Sequence, residues 1–370
     1  MLRTSLEIQA IAALVAVACA LPGVFLVLRR MALMSDAISH AILPGIAAAY
    51  FLTHNLSSPL LILGAALAGV ATVSLVELLQ RTGLLREDAA IGLVFPFLFS
   101  IGVIIISRYF RNEHLDIDAA LKGNLVLSVQ DHRLSAFGRD IGPQTLYVMA
   151  AIALANLLFV LAFYKELTLA TFDAALAASL GFAPGLIHYA LMTLVSVTAV
   201  GSFDAVGSVL VVGFMIGPPA AAYLLTDRLG VMLLLSCALG VVAAVAGYWL
   251  SRWLDASIAG AMATMTGVLF GAVLLLAPER GLLALLLHRR QQRLDFAATM
   301  LAIHLFHHEG RPEAEQENRV EHLHDHLRWQ TAFALEVVRR AERDGLVQRH
   351  NGQLLLTPTG RERARQAITS

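Results

Sequence analysis

An acid and a histidine stand four residues apart in the otherwise apolar stretch RRMALMSDAISHAILPGIAAAY, Arg29 to Tyr50. On a helix, positions i and i+4 share a face, so Asp36 and His40 can offer a carboxylate oxygen and an imidazole nitrogen to one point. Pro44 has no N–H to return to the carbonyl of His40, and its ring crowds that turn. A kink and a freed carbonyl are therefore expected beside the histidine. Imidazole with carboxylate suits Mn2+, Fe2+ and Zn2+ alike, and the absence of a nearby thiolate argues against Cu+. The competing reading is a polar clamp, with Asp36 bonded to Ser39, His40 or a neighbouring helix.

Other polar residues are fewer. His188, near the start of a later apolar run, and Asp204, in the turn GSFDAVGS, are further candidates for metal contact, relay or gating, against a reading of local polar satisfaction. Glu113, His114, Asp116 and Asp118 form an acidic patch that could attract cations or dock a partner, or be a solvated loop. Gly213, Gly217, Pro218 and Pro219 are expected to break their span, freeing carbonyls or permitting close packing, as a hinge or pathway lining.

These residues must be positioned by membrane helices. Apolar residues make up 58% of the 370-residue chain and charged ones 15%, and near-twenty-residue runs without charge recur, so the bilayer is the main solvent. The formal net charge is zero, which implies no nucleic-acid or acidic partner. Cys19 and Cys237 both sit in apolar runs where no disulfide framework is plausible. Spans are expected at about 8 to 28, 33 to 53, 59 to 80, 89 to 107, 144 to 164, 184 to 201, 206 to 225, 229 to 250 and 257 to 277. The first reads as a retained span rather than a cleaved leader, because its apolar run ends in Arg29 and Arg30. Arginines and lysines in the connections place the loops after the first, third, fifth and seventh spans, and the tail, in the cytoplasm and the N-terminus outside. The connection from Arg108 to Gly142 fits that rule poorly, and short helices dipping toward the membrane are expected in it. With the second span starting near Met31, a rise of about 1.5 Å per residue puts His40 roughly 14 Å deep, near mid-membrane. An ionisable group at that depth is a functional hypothesis by default.

Between the fifth and sixth spans, YKELTLATFDAALAASLGFAP carries its own helix signals. Asp173 or Thr171 can cap a short amphipathic helix over Ala174 to Leu180, and Gly181 can end it before Pro184. Such a helix is an interfacial connector or a fit for a groove in a partner.

Together with LMSDAISHAILPG, this loop-helix, REDAAIGLVFPFLFSIGVIII, LDIDAALKGNL and VVGFMIGPPAAAYLL resemble the membrane permease subunit of ABC-type manganese, zinc or iron transporters. The motifs fall in order over nearly all of residues 1 to about 280. The resemblance implies a pair of permeases, identical or paralogous, a separate ATPase docked on each coupling helix, and an extracytoplasmic metal-binding protein that delivers the ion. It places the coupling helix on Asp173, Ala174, Ala175, Leu176, Ala177, Ala178, Ser179, Leu180 and Gly181. The only lysines, Lys122 and Lys165, precede Gly123 and Glu166, so no phosphate-binding loop of the G-x-x-x-x-G-K-[ST] type is possible. The chain is thus expected to be a transport subunit, not an enzyme, with no cofactor of its own and Mn2+, Zn2+ or Fe2+ as its cargo. A secondary cation transporter or channel is the alternative, but it gives no reason for the loop-helix.

After Leu287 the composition turns polar, and two domains are expected, 1–286 in the membrane and 287–370 in the cytosol. Helices are expected over Leu294 to Glu309, around Val320 to Leu327 and over Thr331 to Asp344, then a hairpin at Asn351 and Gly352. The order resembles a winged-helix domain of metal-dependent repressors, so the fold class is an all-α polytopic membrane protein with a small α+β tail. Arg339, Arg340 and Arg343 could meet phosphates, but 13 arginines face 11 acids from His288 onward. A protein-contact or regulatory role is therefore favoured over DNA binding. His322 and His326 share a helix face and are candidate metal ligands in the tail, with a solvated helix as the alternative.

Overall fold

The computed structural model describes residues 2–54, 59–109, 125–130, 133–136, 139–310, 318–319, 327, 329–350 and 352–369. The chain divides into two compact units, Met1–Ala277 and Pro278–Ser370.

The first unit is a helical bundle. Its elements are α1 (Leu2–Leu28), α2 (Ala32–Ala41), α3 (Leu43–Thr53), α4 (Pro59–Arg81), α5 (Glu87–Tyr109), α6 (Leu125–Gln130), the strands β1 (Arg133–Ala136) and β2 (Arg139–Pro143), α7 (Gln144–Ala162), α8 (Tyr164–Phe172), α9 (Ala174–Ser179), α10 (Pro184–Val206), α11 (Ser208–Leu225), α12 (Leu229–Leu254) and α13 (Ile258–Leu276). Among the described residues, nine stretches are long and apolar enough to cross a membrane, with α2 and α3 together forming one of them, Ala32–Thr53. The chain is thus a multi-pass membrane protein.

Helix α1 is apolar on every side, as the centre of a bundle requires. It packs against α7, α10, α11 and α12. Buried Asn156 on α7 ties three of these helices together, its amide N–H groups donating to Ala18 O at 2.9 Å and to Thr198 Oγ1 on α10 at 2.8 Å. With no water to satisfy it, such an amide has to find partners across helices. Gly45 on α3 and Gly64 on α4 bring two backbones together, since a Cβ on either would strike the other's carbonyl oxygen.

The second span is two helices in close succession, joined through Ile42, whose own dihedrals are helical. It stops at Ala41 and restarts at Leu43, with Pro44 in the first turn of α3. Proline is pre-organised for a first helical turn, whereas further in it costs a backbone hydrogen bond and crowds the preceding turn. The break therefore falls before Pro44. Backbone bonds cross it from Ile42 to Ile38 at 3.2 Å and from Ile46 to Ile42 at 3.0 Å.

The seventh span, in contrast, does not break as expected. Helix α11 runs unbroken from Ser208 to Leu225 with Pro218 and Pro219 inside and buried. Pro219 cannot donate to the carbonyl of Met215. That carbonyl lies against Gly23 of α1, where a Cβ would collide with it. Close packing by a glycine accommodates the orphaned acceptor.

The second unit comprises α14 (Leu282–His308), α15 (Thr331–Arg343), the hairpin β3 (Val347–His350) with β4 (Gln353–Leu356), and α16 (Pro358–Thr369). Its core joins Ala298, Leu301 and Leu305 of α14 to Ala334, Val337, Val338 and Ala341 of α15 and to Val347 and Leu354 of the hairpin. On α15 the spacing 334, 337, 338, 341 is one helical face. Antiparallel pairing runs from Val347 opposite Leu356 to His350 opposite Gln353, with Gly352 at φ 83° in the turn. Helix α14 begins well before Leu294, so the boundary at 286/287 falls inside it: the shift from leucines to arginines marks a change of surroundings, not a helix end. Helix α16 was not expected. Thr357 caps it, accepting from Gly360 N–H at 3.0 Å, and Pro358 takes its first position. The helix expected around Val320 lies outside the described residues except at Leu327.

Candidate functional site

Helix α1 reaches α2 through a tight Schellman turn. Met31 N–H bonds to Leu26 O at 2.8 Å and Arg30 N–H to Val27 O at 3.1 Å, with Arg30 itself left-handed at φ 62°. The turn fixes where α2 begins, and so where its side chains point.

On α2, Ser35 and Ser39 turn their hydroxyls back to the carbonyls of Ala32 and Ser35, at 2.9 and 2.8 Å. Ser39 therefore does not clamp Asp36. His40 Nε2 lies 3.6 Å from Asp36 Oδ1, beyond hydrogen-bond length, with side-chain exposures of 27% and 48%. The imidazole sits beside Phe95 and Phe99 of α5, with ring centroids 5.5 and 6.2 Å away. A carboxylate and an imidazole thus share one face, loosely paired and open on one side, with an aromatic wall on the other. No group of three or more His, Cys, Asp or Glu assembles a metal site among the described residues. Two donors are half of a tetrahedral set, so a metal held here would need further donors from water, backbone or another chain.

The structure places His188 elsewhere. Its Nε2 lies 2.8 Å from Glu77 Oε1 on α4, and its Nδ1 lies 3.1 Å from Arg29 Nη1. Tyr189 OH donates to Glu77 Oε2 at 2.7 Å, while Arg81 Nη2 stands 3.7 Å from that oxygen. Arg29 Nε donates to Thr171 Oγ1 on α8 at 3.1 Å. With its ring between the Glu77 carboxylate and the Arg29 guanidinium, His188 is part of an ion-pair network. Glu77 and Tyr189 complete this network and were not among the residues the sequence singled out. Their signal was a lone acid in the apolar run SLVELLQR, which reads as a span flank.

Asp204 falls within the last turn of α10, not in a turn between spans; Gly207, at φ 77°, ends that helix. Gly213 faces open space, whereas Gly217 receives the side chain of Thr266 from α13. Of the two expected uses of these glycines, close packing holds at Gly217. Asp173 caps α9 by accepting from Leu176 N–H at 2.9 Å. Gly181, at φ 87°, ends the turn, with Phe182 N–H bonded to Ala177 O at 3.0 Å. Leu176 and Leu180 are exposed on this helix. Glu113, His114, Asp116, Asp118, His322 and His326 lie outside the described residues.

In the tail, Arg340 pairs with Asp295 and Asp344, each at 2.9 Å. Arg293 lies over the Phe333 ring, 4.6 Å from its centroid.

Residues 4–277 match the ABC 3 transport family. The chain is 49% identical over 356 residues to the zinc transport system membrane protein TroD of Treponema pallidum (strain Nichols), covering 96% of each. It is 47% identical over 270 residues to the manganese transport system membrane protein MntD of Bacillus subtilis (strain 168), covering 73% of this chain and 91% of that one. Among solved structures, PsaBC from Streptococcus pneumoniae in complex with Fab superposes with a TM-score of 0.63 at 28% identity, over 74% of this chain and 92% of that one.

Proposed function

The chain belongs to the ABC 3 transport family, and on that premise we propose how its parts divide the work of moving a metal ion. It is the membrane permease subunit of an ABC-type importer for manganese, zinc or iron, and ATP is hydrolysed by a separate subunit. Asp36 and His40 form the transit site, each chain presenting one carboxylate and one imidazole to the passing ion. A second permease copy or a paralogue supplies the remaining donors. The observation that carries this reading is the pairing on α2: two metal-type donors one turn apart in a membrane span, loosely paired and open on one side.

The ATPase docks on α9, whose capped helix and exposed Leu176 and Leu180 give a groove something to hold. An extracytoplasmic metal-binding protein delivers the ion at the opposite face, the N-terminus lies outside, and the tail lies in the cytosol. The tail is a winged-helix-like regulatory or protein-contact module. The match to TroD, spanning 96% of both chains, supports treating it as part of the working protein. Arg340 is neutralised by two acids of its own unit, which favours a protein contact over nucleic acid.

Asp36→Ala and His40→Ala test the site. Each should abolish metal accumulation in cells carrying the rest of the system, while the variant still co-purifies with its ATPase. Wild-type accumulation in both variants would remove these residues from the pathway.

A further inference from the structure

The network around Glu77 links elements that have no bonded ladder in common. Arg29 sits at the Schellman turn that launches α2, and through Thr171 it reaches α8, two residues before Asp173, the cap of α9. His188 lies on α10, which begins at Pro184, shortly after α9 ends. Glu77 lies on α4, which packs against both α2 and α10. The bonding order also sets the chemistry. A guanidinium only donates, so Arg29 Nη1 needs a bare Nδ1 on His188, and the ring proton then lies on Nε2, facing the Glu77 carboxylate. Glu77 accepts a second proton from Tyr189 through its other oxygen. Each of these polar links depends on the one beside it, in a setting less exposed than Asp36 and His40.

We propose that Arg29, His188 and Glu77 are positioning residues that carry displacement of the coupling helix α9 to helix α2 and its Asp36–His40 pair. The proposal rests on the transport reading above. A shift of α9 moves Thr171. Thr171 holds the Arg29 guanidinium, and Arg29 can follow only by turning the start of α2 or by releasing His188. The network thus favours discrete arrangements over continuous give, which is what a coupling element needs. None of the three touches the ion in this account.

The test uses the whole system in proteoliposomes: this permease, its ATPase and its metal-binding protein, with Mn2+ and Zn2+ each supplied alone. Metal taken up and ATP hydrolysed are read in the same vesicles. Arg29→Met and His188→Leu should each lower metal moved per ATP by about tenfold while hydrolysis continues. The double variant should fall no further than either single one. His188→Gln should restore the ratio, because its amide oxygen can accept from Arg29 while its NH2 donates to Glu77. Where an apolar variant does not assemble, Glu77→Gln is the milder cut, and the same drop is expected of it. An unchanged ratio in the single variants, or losses that multiply in the double one, would overturn the relay while leaving the transport reading intact. A wild-type complex that moves neither metal, nor Fe2+ supplied in their place, would sink the transport reading and the relay with it.

Discussion

Among its described residues the membrane unit holds two carboxylate–imidazole pairs, and their differences suit them to different work. Asp36 and His40 are neighbours on one helix, 3.6 Å apart, and the His40 ring packs against two phenylalanines. Glu77 and His188 come from two helices, meet at 2.8 Å, and are enclosed by Arg29, Tyr189 and Arg81, with exposures of 21% and 13%. A neighbouring guanidinium repels a cation, whereas a loosely paired carboxylate and imidazole with an open side can admit one. In the proposed reading, the same two side-chain types serve an ion in one place and hold helices together in the other.

The comparison can be broken or sharpened by substitution. The largest effect is expected at the open pair, where Asp36→Ala abolishes metal accumulation yet leaves the melting temperature of the purified complex unchanged, since no tight bond is lost. Glu77→Ala should do the reverse in stability. It leaves His188 and Tyr189 without their acceptor and should cost about 2 kcal/mol, toward the low end for such pairs because this one is not fully buried. A thermal melt that ranks the two variants the other way would erase the distinction.

A smaller change is expected at the turn that aims both networks. Arg30→Gly relieves a left-handed non-glycine residue and should stabilise the protein by up to about 1 kcal/mol, with metal moved per ATP unchanged because Arg29 keeps its place. The smallest effect belongs to a third cluster, at the far end of α1, where Arg133 bridges Glu7 at 3.0 Å and Asp140 at 2.8 Å. Arg133→Ala should leave uptake at the wild-type level, with a slight loss of stability that added salt masks. Here the hydrogen bond from Arg133, with its charge, holds the Asp140 carboxyl below the usual aspartate range. The contribution of that bond is whole above the ordinary aspartate range and fades as pH falls through the lowered value. A titration of Asp140 in Arg133→Ala should return it toward the ordinary range.

Much of this was legible in residue order, for physical reasons. Apolar runs of near-membrane length can do little but span, and Asp36 with His40 needed only the helical period. The cap at Asp173 and the stop at Gly181 follow from side-chain and backbone preferences that act within a few residues. What escaped were effects of packing between distant segments. Glu77 could not be told from a span flank without His188 beside it. Pro218 and Pro219 could not be known to leave α11 unbroken without Gly23 of α1 lying against Met215. Asn156 was a lone amide until Ala18 and Thr198 came within reach. Helix α16 is a different case: Thr357 before Pro358 is a local start signal, obscured because the preceding hairpin drew the segment into its own pattern.

Electron paramagnetic resonance of Mn2+ bound to the purified permease–ATPase complex addresses the central claim most directly, because an imidazole ligand leaves a nitrogen hyperfine coupling on the ion. The coupling should be present in the wild type and in Glu77→Gln, and absent in His40→Ala. A coupling that survives His40→Ala and disappears in His188→Leu would show that the ion uses the enclosed pair, contradicting the division of labour between the two.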